Sequence, residues 1–122
     1  MNAPEKMVIV VTHGPEHPEM ATIPFVMAAA ALVSDVEVCM AFQGDGVNLM
    51  RAGGTEHVFA HSFPPLAELA ATVIELGGQM LICAPCLENR ELKPEDLESA
   101  AEIIGAARLI AEVTAATATL SY

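Results

Sequence analysis

The chain has no tryptophan, one tyrosine and four phenylalanines, an aromatic share of only 4%. Its core therefore has to be built from Ala, Val, Leu, Ile and Met. Positive charge is scarce as well: 5 Lys+Arg stand against 16 Asp+Glu, a formal net charge of −11. Phosphate backbones are held by clustered Lys and Arg, and the five here, Lys6, Arg51, Arg90, Lys93 and Arg108, are widely spread. Nucleic acid and anionic membrane are thereby poor partners. The negative charge fits solubility, with either steering toward a basic protein partner or a solvated acidic surface. No run reaches the ~18 apolar residues of a transmembrane helix; residues 23–33 are interrupted by Pro24 and end at Ser34-Asp35. Residues 7–11 are too short for the apolar region of a signal peptide, and no small-residue cleavage site follows. Three cysteines without a secretory signal do not make a disulfide scaffold. A reducing cytoplasm is the expected compartment. Also missing are a serine-nucleophile elbow, an HExxH, a P-loop and a GxGxxG. The acidic residues are scattered, so no carboxylate pair stands out.

What is present is apolar and regular. The 122 residues suit a single domain, 1–122, large enough for a real core. The apolar share of 53% exceeds the usual ~45–50%. A small domain this apolar favours a homo-oligomer with apolar interfaces. Residues 7–11, Met-Val-Ile-Val-Val, form the continuous run of a strand buried on both faces. After the loop Thr12-His13-Gly14-Pro15-Glu16-His17-Pro18, residues 19–33 read as a helix, with Pro24 a candidate for its true start. Residues 36–42 read as a second strand, Gly44-Asp45-Gly46 as a turn and 47–51 as a short helical piece. Residues 56–60 suit a short strand or an irregular crossing. Ser62 is a candidate cap for a helix carrying Leu66, Leu69, Ala70, Val73 and Leu76 at helical spacing. Gly77-Gly78 stops it, and 79–82 form a third strand. Pro94-Glu95-Asp96 opens another helix that Gly105 interrupts; 106–115 are helical by composition and 118–122 a final edge strand. Strand and helix alternate throughout. The class is α/β, a three-layer α/β/α sandwich on a mainly parallel sheet.

The chemistry centres on Cys83-Ala84-Pro85-Cys86, directly after the third strand. The carboxyl ends of parallel strands are where open α/β sheets keep their active residues. Three roles are open: a sulfur carrier, a redox dithiol, or half of a metal site. Cys83 reads as a nucleophilic thiol, against the alternative of a small buried hydrophobe. Arg90 and Lys93 follow, two of the five basic residues, and a cation there would stabilise a thiolate or an anionic sulfur species. The alternative is an exposed pair balancing Glu88, Glu91 and Glu95. Cys86 makes the pair similar to the thioredoxin redox motif, but the order of elements around it differs. A structural zinc needs four ligands. One CxxC gives two, and His13/His17 or His57/His61 are the remaining candidates; surface histidines explain them equally well, so no metal is expected. Cys39, inside the second strand, reads as core. Gly44-Asp45-Gly46 would lie at the same sheet edge, as a cleft lip or simply a turn. His13, after the first strand, could share that cleft and assist deprotonation.

These residues together resemble the DsrE/DsrF-like family, including its TusD-type sulfur-relay members. The resemblance is carried by Val8-Ile9-Val10-Val11-Thr12 with Gly14-Pro15, by Gly44-Asp45-Gly46-Val47, and by Ile82-Cys83-Ala84-Pro85-Cys86-Leu87 with Arg90. It spans about residues 7–122. It implies a flavodoxin-like or Rossmann-like sandwich of about five strands, assembled as trimers or hexamers, without a cofactor. It implies that Cys83 accepts sulfane sulfur as a persulfide from a donor protein and passes it to an acceptor. Cys86 matches a second cysteine of homo-oligomeric relatives, as an accessory. Arg90-Glu91 departs from the Arg-Gly found in many relatives. Two other readings stay open: a non-catalytic oligomeric ligand-binding module, and a Cys83/Cys86 redox protein.

Overall fold

The computed structural model describes residues 5–122. The elements run β1 Lys6–Val11, α1 Pro18–Val33, β2 Glu37–Phe42, α2 Leu66–Glu75, β3 Gln79–Cys83, α3 Ala84–Glu88, β4 Ala101–Ile104, α4 Ala106–Ala115 and β5 Ala118–Ser121. Two 3₁₀ segments, Gly44–Met50 and Pro94–Asp96, are interposed. The five strands form one sheet in the order β4-β3-β2-β1-β5, and every pairing is parallel. An α/β fold on a parallel five-stranded sheet is thus what the alternating pattern foretold.

Topology decides which helix covers which face. From β1 to β3 the chain steps one way across the sheet, and right-handed crossovers put α1 and α2 together on one side. From β4 it returns past the whole sheet to β5, so the same handedness puts α4 on the other side. Strand alternation then sorts the side chains. Ile9, Val11, Met40, Phe42, Met80 and Ile82 join the larger core beneath α1 and α2, with Phe25 of α1 and Leu66 and Val73 of α2. Val8, Cys39, Ala41, Leu81 and Ile104 point the other way, and only Leu109, Val113 and Ala116 pack onto them from around α4.

The helix start lies at Pro18, in the first turn with Glu19, and α1 runs unbroken through a buried Pro24. Pro24 has no N–H, so it leaves the Met20 carbonyl without its helical donor but does not end the helix. Three expectations are corrected. Ser62 is not a cap: α2 begins at Leu66 behind Pro65, and Ser62 sits too early to reach its first N–H groups. Residues 56–60 form turns and coil rather than a strand. Both flanks of β2 are already taken by β1 and β3, so no strand position is free there. The helix placed after Pro94 is a single 3₁₀ turn, its start fixed by the Asp96 carboxylate accepting the Lys93 N–H at 2.9 Å. The chain then extends at Leu97 and enters β4. Pairing with the otherwise open edge of β3 outweighs the weak helix preference of Ala and Glu.

Candidate functional site

Cys83 is the last residue of β3 and the residue from which α3 starts. Period-two alternation turns it to the same side as Leu81, toward α4. Its register partner on β4 is Ile104. Cys83, Ile104 and Leu81 line a cleft of about 240 Å³ closed by Pro85, Phe42 and the first turns of α4, with Ala106, Leu109 and Ile110. The thiol is half-buried. Cys86, three residues on, faces the opposite way. It packs against the larger core, and its Sγ accepts a hydrogen bond from the Gly44 N–H at 3.3 Å. The two thiols are therefore not equivalent: one opens on the cleft, the other holds the turn after β2.

That turn is tight for reasons of space. Gly44 has φ of +54°, a left-handed conformation that glycine adopts without strain. Gly46 is squeezed instead: an added Cβ would strike the Val11 carbonyl oxygen. A Cβ on Gly14 would lie 2.6 Å from the Asp45 carbonyl oxygen. The loops after β1 and β2 are thus pressed together at the carboxyl edge, close to Cys86.

Arg90 is drawn into this arrangement. Its Nη1 donates to the Cys86 carbonyl at 3.1 Å, and its Nη2 pairs with Asp45 Oδ1 at 2.8 Å. The guanidinium so bridges the cysteine turn to the glycine turn, and its partner is Asp45 rather than Glu88, Glu91 or Glu95. Burial pushes the Cys83 thiol above its ordinary pKa, and the neighbouring Cys86 thiol adds to the rise. The Cys86 N–H and the charge of Arg90 oppose it without winning. Cys83 is a protonated thiol at neutral pH, next to a second thiol, in a hydrocarbon-walled cleft.

His13 stands apart from the cleft wall. Its ring meets that of His17 edge-on, with centroids 5.3 Å apart, and its Nδ1 is buried with no hydrogen-bond partner among the described residues. Among the described residues no group of three or more His, Cys, Asp or Glu side chains is arranged to hold a metal ion. Nor is any helix long and apolar enough to cross a membrane.

Cys39 lies on the same sheet face as Cys83 but at the amino end. It is 1% exposed. Its thiol donates to Gln79 Oε1 at 2.8 Å and lies 3.4 Å from Glu112 Oε2. Glu112 pairs with Lys6 and with Arg108, which also reaches Glu102 at 2.6 Å. Burial and the Glu112 charge push the Cys39 thiol up to about 11. This end of α4 is pinned by charges, whereas its other end walls the cleft. The sequence reading missed Asp45 as the arginine's partner, the α4 wall, and this network.

A thiol at the carboxyl edge of a parallel sheet, opening on an apolar cleft, marks an α/β protein with a cysteine-centred site. The chain belongs to the DsrE/DsrF-like family, which it matches over residues 5–122. It is 31% identical over 108 residues to the uncharacterized protein MJ0989 of Methanocaldococcus jannaschii, covering 88% of this chain and 91% of that one. It is 28% identical over 102 residues to the uncharacterized protein MJ0760 of the same organism, covering 84% of this chain but only 37% of that longer relative. Among solved structures it is similar to the ychN protein of E. coli, with a TM-score of 0.77 at 18% identity, covering 97% of this chain and 99% of that one. It is also similar to MTH1491 of Methanobacterium thermoautotrophicum, a protein of unknown function, with a TM-score of 0.72 at 15% identity and the same coverage, 97% and 99%.

Proposed function

We propose that this protein is a sulfur carrier in which Cys83 accepts sulfane sulfur as a persulfide. The observation that carries the reading is the orientation of Cys83: a half-buried thiol at the end of β3, turned into a cleft, with a second thiol beside it. The family membership supports a sulfur-relay-related role. In the loading step the Cys83 thiolate attacks the terminal sulfur of a donor R–S–SH. The donor's S–S bond breaks, R–S⁻ leaves with the bonding pair, and Cys83 retains one sulfur atom. Discharge is the same exchange run toward an acceptor thiol. Because burial raises the Cys83 pKa, the reactive fraction grows as pH rises through and beyond the ordinary thiol range. Arg90 serves as a positioning residue, fixing the cysteine turn against Asp45.

A second reading draws on the adjacency of Cys86. Its thiolate could attack the loaded Cys83 sulfur, form a Cys83–Cys86 disulfide and release the carried sulfur, which would make the pair a redox dithiol. We assign the protein to the reducing cytoplasm, where its three free thiols would persist. We also assign it a homo-oligomeric state, a trimer or hexamer, which the exposed Ile103 and Val33 support.

The test is intact mass. Reduced wild type treated with a persulfide donor should gain about 32 Da, one sulfur atom, and Cys83→Ala should gain none. Equal gain in Cys83→Ala removes the carrier reading. Loading of wild type followed by loss of hydrogen sulfide, leaving a mass two hydrogens below the reduced protein and absent in Cys86→Ala, would favour the dithiol.

A further inference from the structure

The geometry points to the class of donor: we infer that the Cys83 cleft takes a neutral, apolar organic sulfane compound rather than an anionic sulfur species. The inference rests on the carrier reading above and specifies its substrate. Three observations carry it. The wall around Cys83 is mostly hydrocarbon, from Leu81, Ile104, Leu109 and Ile110, with Gln43 the polar residue beside them. The cleft is small, about 240 Å³, close to the share of liquid occupied by about eight waters. That suits one short alkyl or aryl group beside the reacting sulfurs. Finally, no Lys or Arg lines the cleft, and Arg90, the cation closest to it in sequence, lies outside its wall and is held by Asp45. The chain's net charge of −11 adds general repulsion of anions.

The first turn of α4 is a feature of the cleft wall that favours negative charge, beside the Cys86 N–H and Arg90, since Gly105 provides no side-chain cap and the first N–H groups are free of one. A surface helix start improves anion binding about fivefold at most. Each methylene removed from water improves binding about fourfold. Two buried methylenes therefore outweigh the helix start. With a dialkyl trisulfide as donor, the Cys83 thiolate attacks the central sulfur of R–S–S–S–R. One S–S bond breaks, R–S⁻ leaves with the pair and takes a proton from solvent, and Cys83 holds –S–S–R.

The experiment compares dimethyl, diethyl and dipropyl trisulfide with bis-glutathionyl trisulfide, which has the same reacting sulfurs and several charges. Adduct formation on Cys83 is followed by intact mass, each rate divided by that of free cysteine with the same donor. The normalised rate should rise about fourfold per methylene added to the alkyl arm, saturate with dipropyl trisulfide, and be at least tenfold lower for the glutathione compound. Ile110→Glu places a charge on a side chain that is 61% exposed, so folding should survive, and it should flatten the alkyl series. Ala106→Glu, exposed in the first turn of α4, gives an independent second variant. Both variants should keep the far-UV circular dichroism spectrum of the wild type, so that a flattened series reports on the cleft and not on the fold. A flat series in wild type, or faster loading by the glutathione compound, overturns the donor class while leaving the carrier reading intact. A wild type that loads none of these donors but does load from a persulfide also overturns the class alone. Failure with every donor, persulfide included, removes the carrier reading itself.

Discussion

On one face of the sheet, α1, α2 and the 3₁₀ segment after β2 bury a continuous core that includes Phe25, Phe42, Met40 and Ile82 at 0% exposure. On the other, α4 stands alone, none of its residues is buried, and five buried side chains make the whole cluster. The two faces are made by the same strands, whose residues alternate between them. What differs is the number of crossovers delivered to each: those carrying α1, α2 and α3 arrive on the first, and the one carrying α4 on the second. The thick face supplies stability. The thin face has a gap where α4 meets the carboxyl edge, and Cys83 opens into that gap. Its amino end is closed by charge rather than by packing, through Lys6, Glu112 and Arg108.

The sharpest way to break this comparison is to label the thiols. Cys39 and Cys83 share the thin face, yet one is closed in and one borders the cleft. Alkylation of Cys39 should be at least about 1,000-fold slower than that of Cys83 in the folded protein, because it needs an opening that costs several kcal/mol. The Cys83 rate should keep climbing as pH passes through the ordinary thiol range, following its raised pKa. Peptide-resolved mass spectrometry reads both. Comparable rates for the two thiols would mean that the amino end of the thin face is open.

Truncation of the thick face comes next. Phe42→Ala should cost about 3–5 kcal/mol in denaturant unfolding, whereas Leu109→Ala, half-exposed on α4, should cost about 1 kcal/mol. Equal costs would erase the distinction between the faces. Glycine substitutions repeat the contrast on a smaller scale. Gly46→Ala should lose about 1–3 kcal/mol, since its Cβ meets the Val11 carbonyl and backbone must move. Gly105→Ala, at the cleft with nothing within 4 Å of the new atom, should be neutral or stabilise by about 0.4–1 kcal/mol.

The charged clasp is expected to contribute less than the packed core. Glu112→Gln should cost about 1–2 kcal/mol near neutral pH. The hydrogen bond from Lys6 holds the Glu112 carboxyl below its ordinary 4.5, so its contribution is present above that value and fades as pH falls through the lowered one. The hydrogen bond to Glu112 raises Lys6 above 10.5, so that contribution is complete below 10.5 and fades as pH rises through the raised value. The stability gap between wild type and Glu112→Gln should therefore be widest between these limits and narrow toward both. A gap independent of pH would show that the clasp acts by shape and not by charge.

Much of this architecture was legible in the residues. The run Met7-Val8-Ile9-Val10-Val11 could only be a strand buried on both sides, and Cys83 fell at a strand end because the apolar run before it stops there. Ala101-Glu102-Ile103-Ile104 was not legible as a strand. Its composition suits a helix, and the vacant edge of β3 that it fills is visible only once the sheet exists. The asymmetry of the two cysteines was likewise hidden: three residues of spacing do not say that Cys86 turns back under Gly44 while Cys83 faces α4. The same is true of Asp45, 45 residues from the arginine it holds. Local pattern encodes elements; pairings between distant loops come from topology.

The central claim is that sulfur enters at one thiol of the three. Treat the reduced protein with a persulfide donor, block with an alkylating agent, digest, and map the extra sulfur atom to Cys39, Cys83 or Cys86. The account predicts that it lies on Cys83, with Cys39 carrying none. Sulfur on Cys86 with Cys83 unmodified, or spread equally over the three, would contradict it.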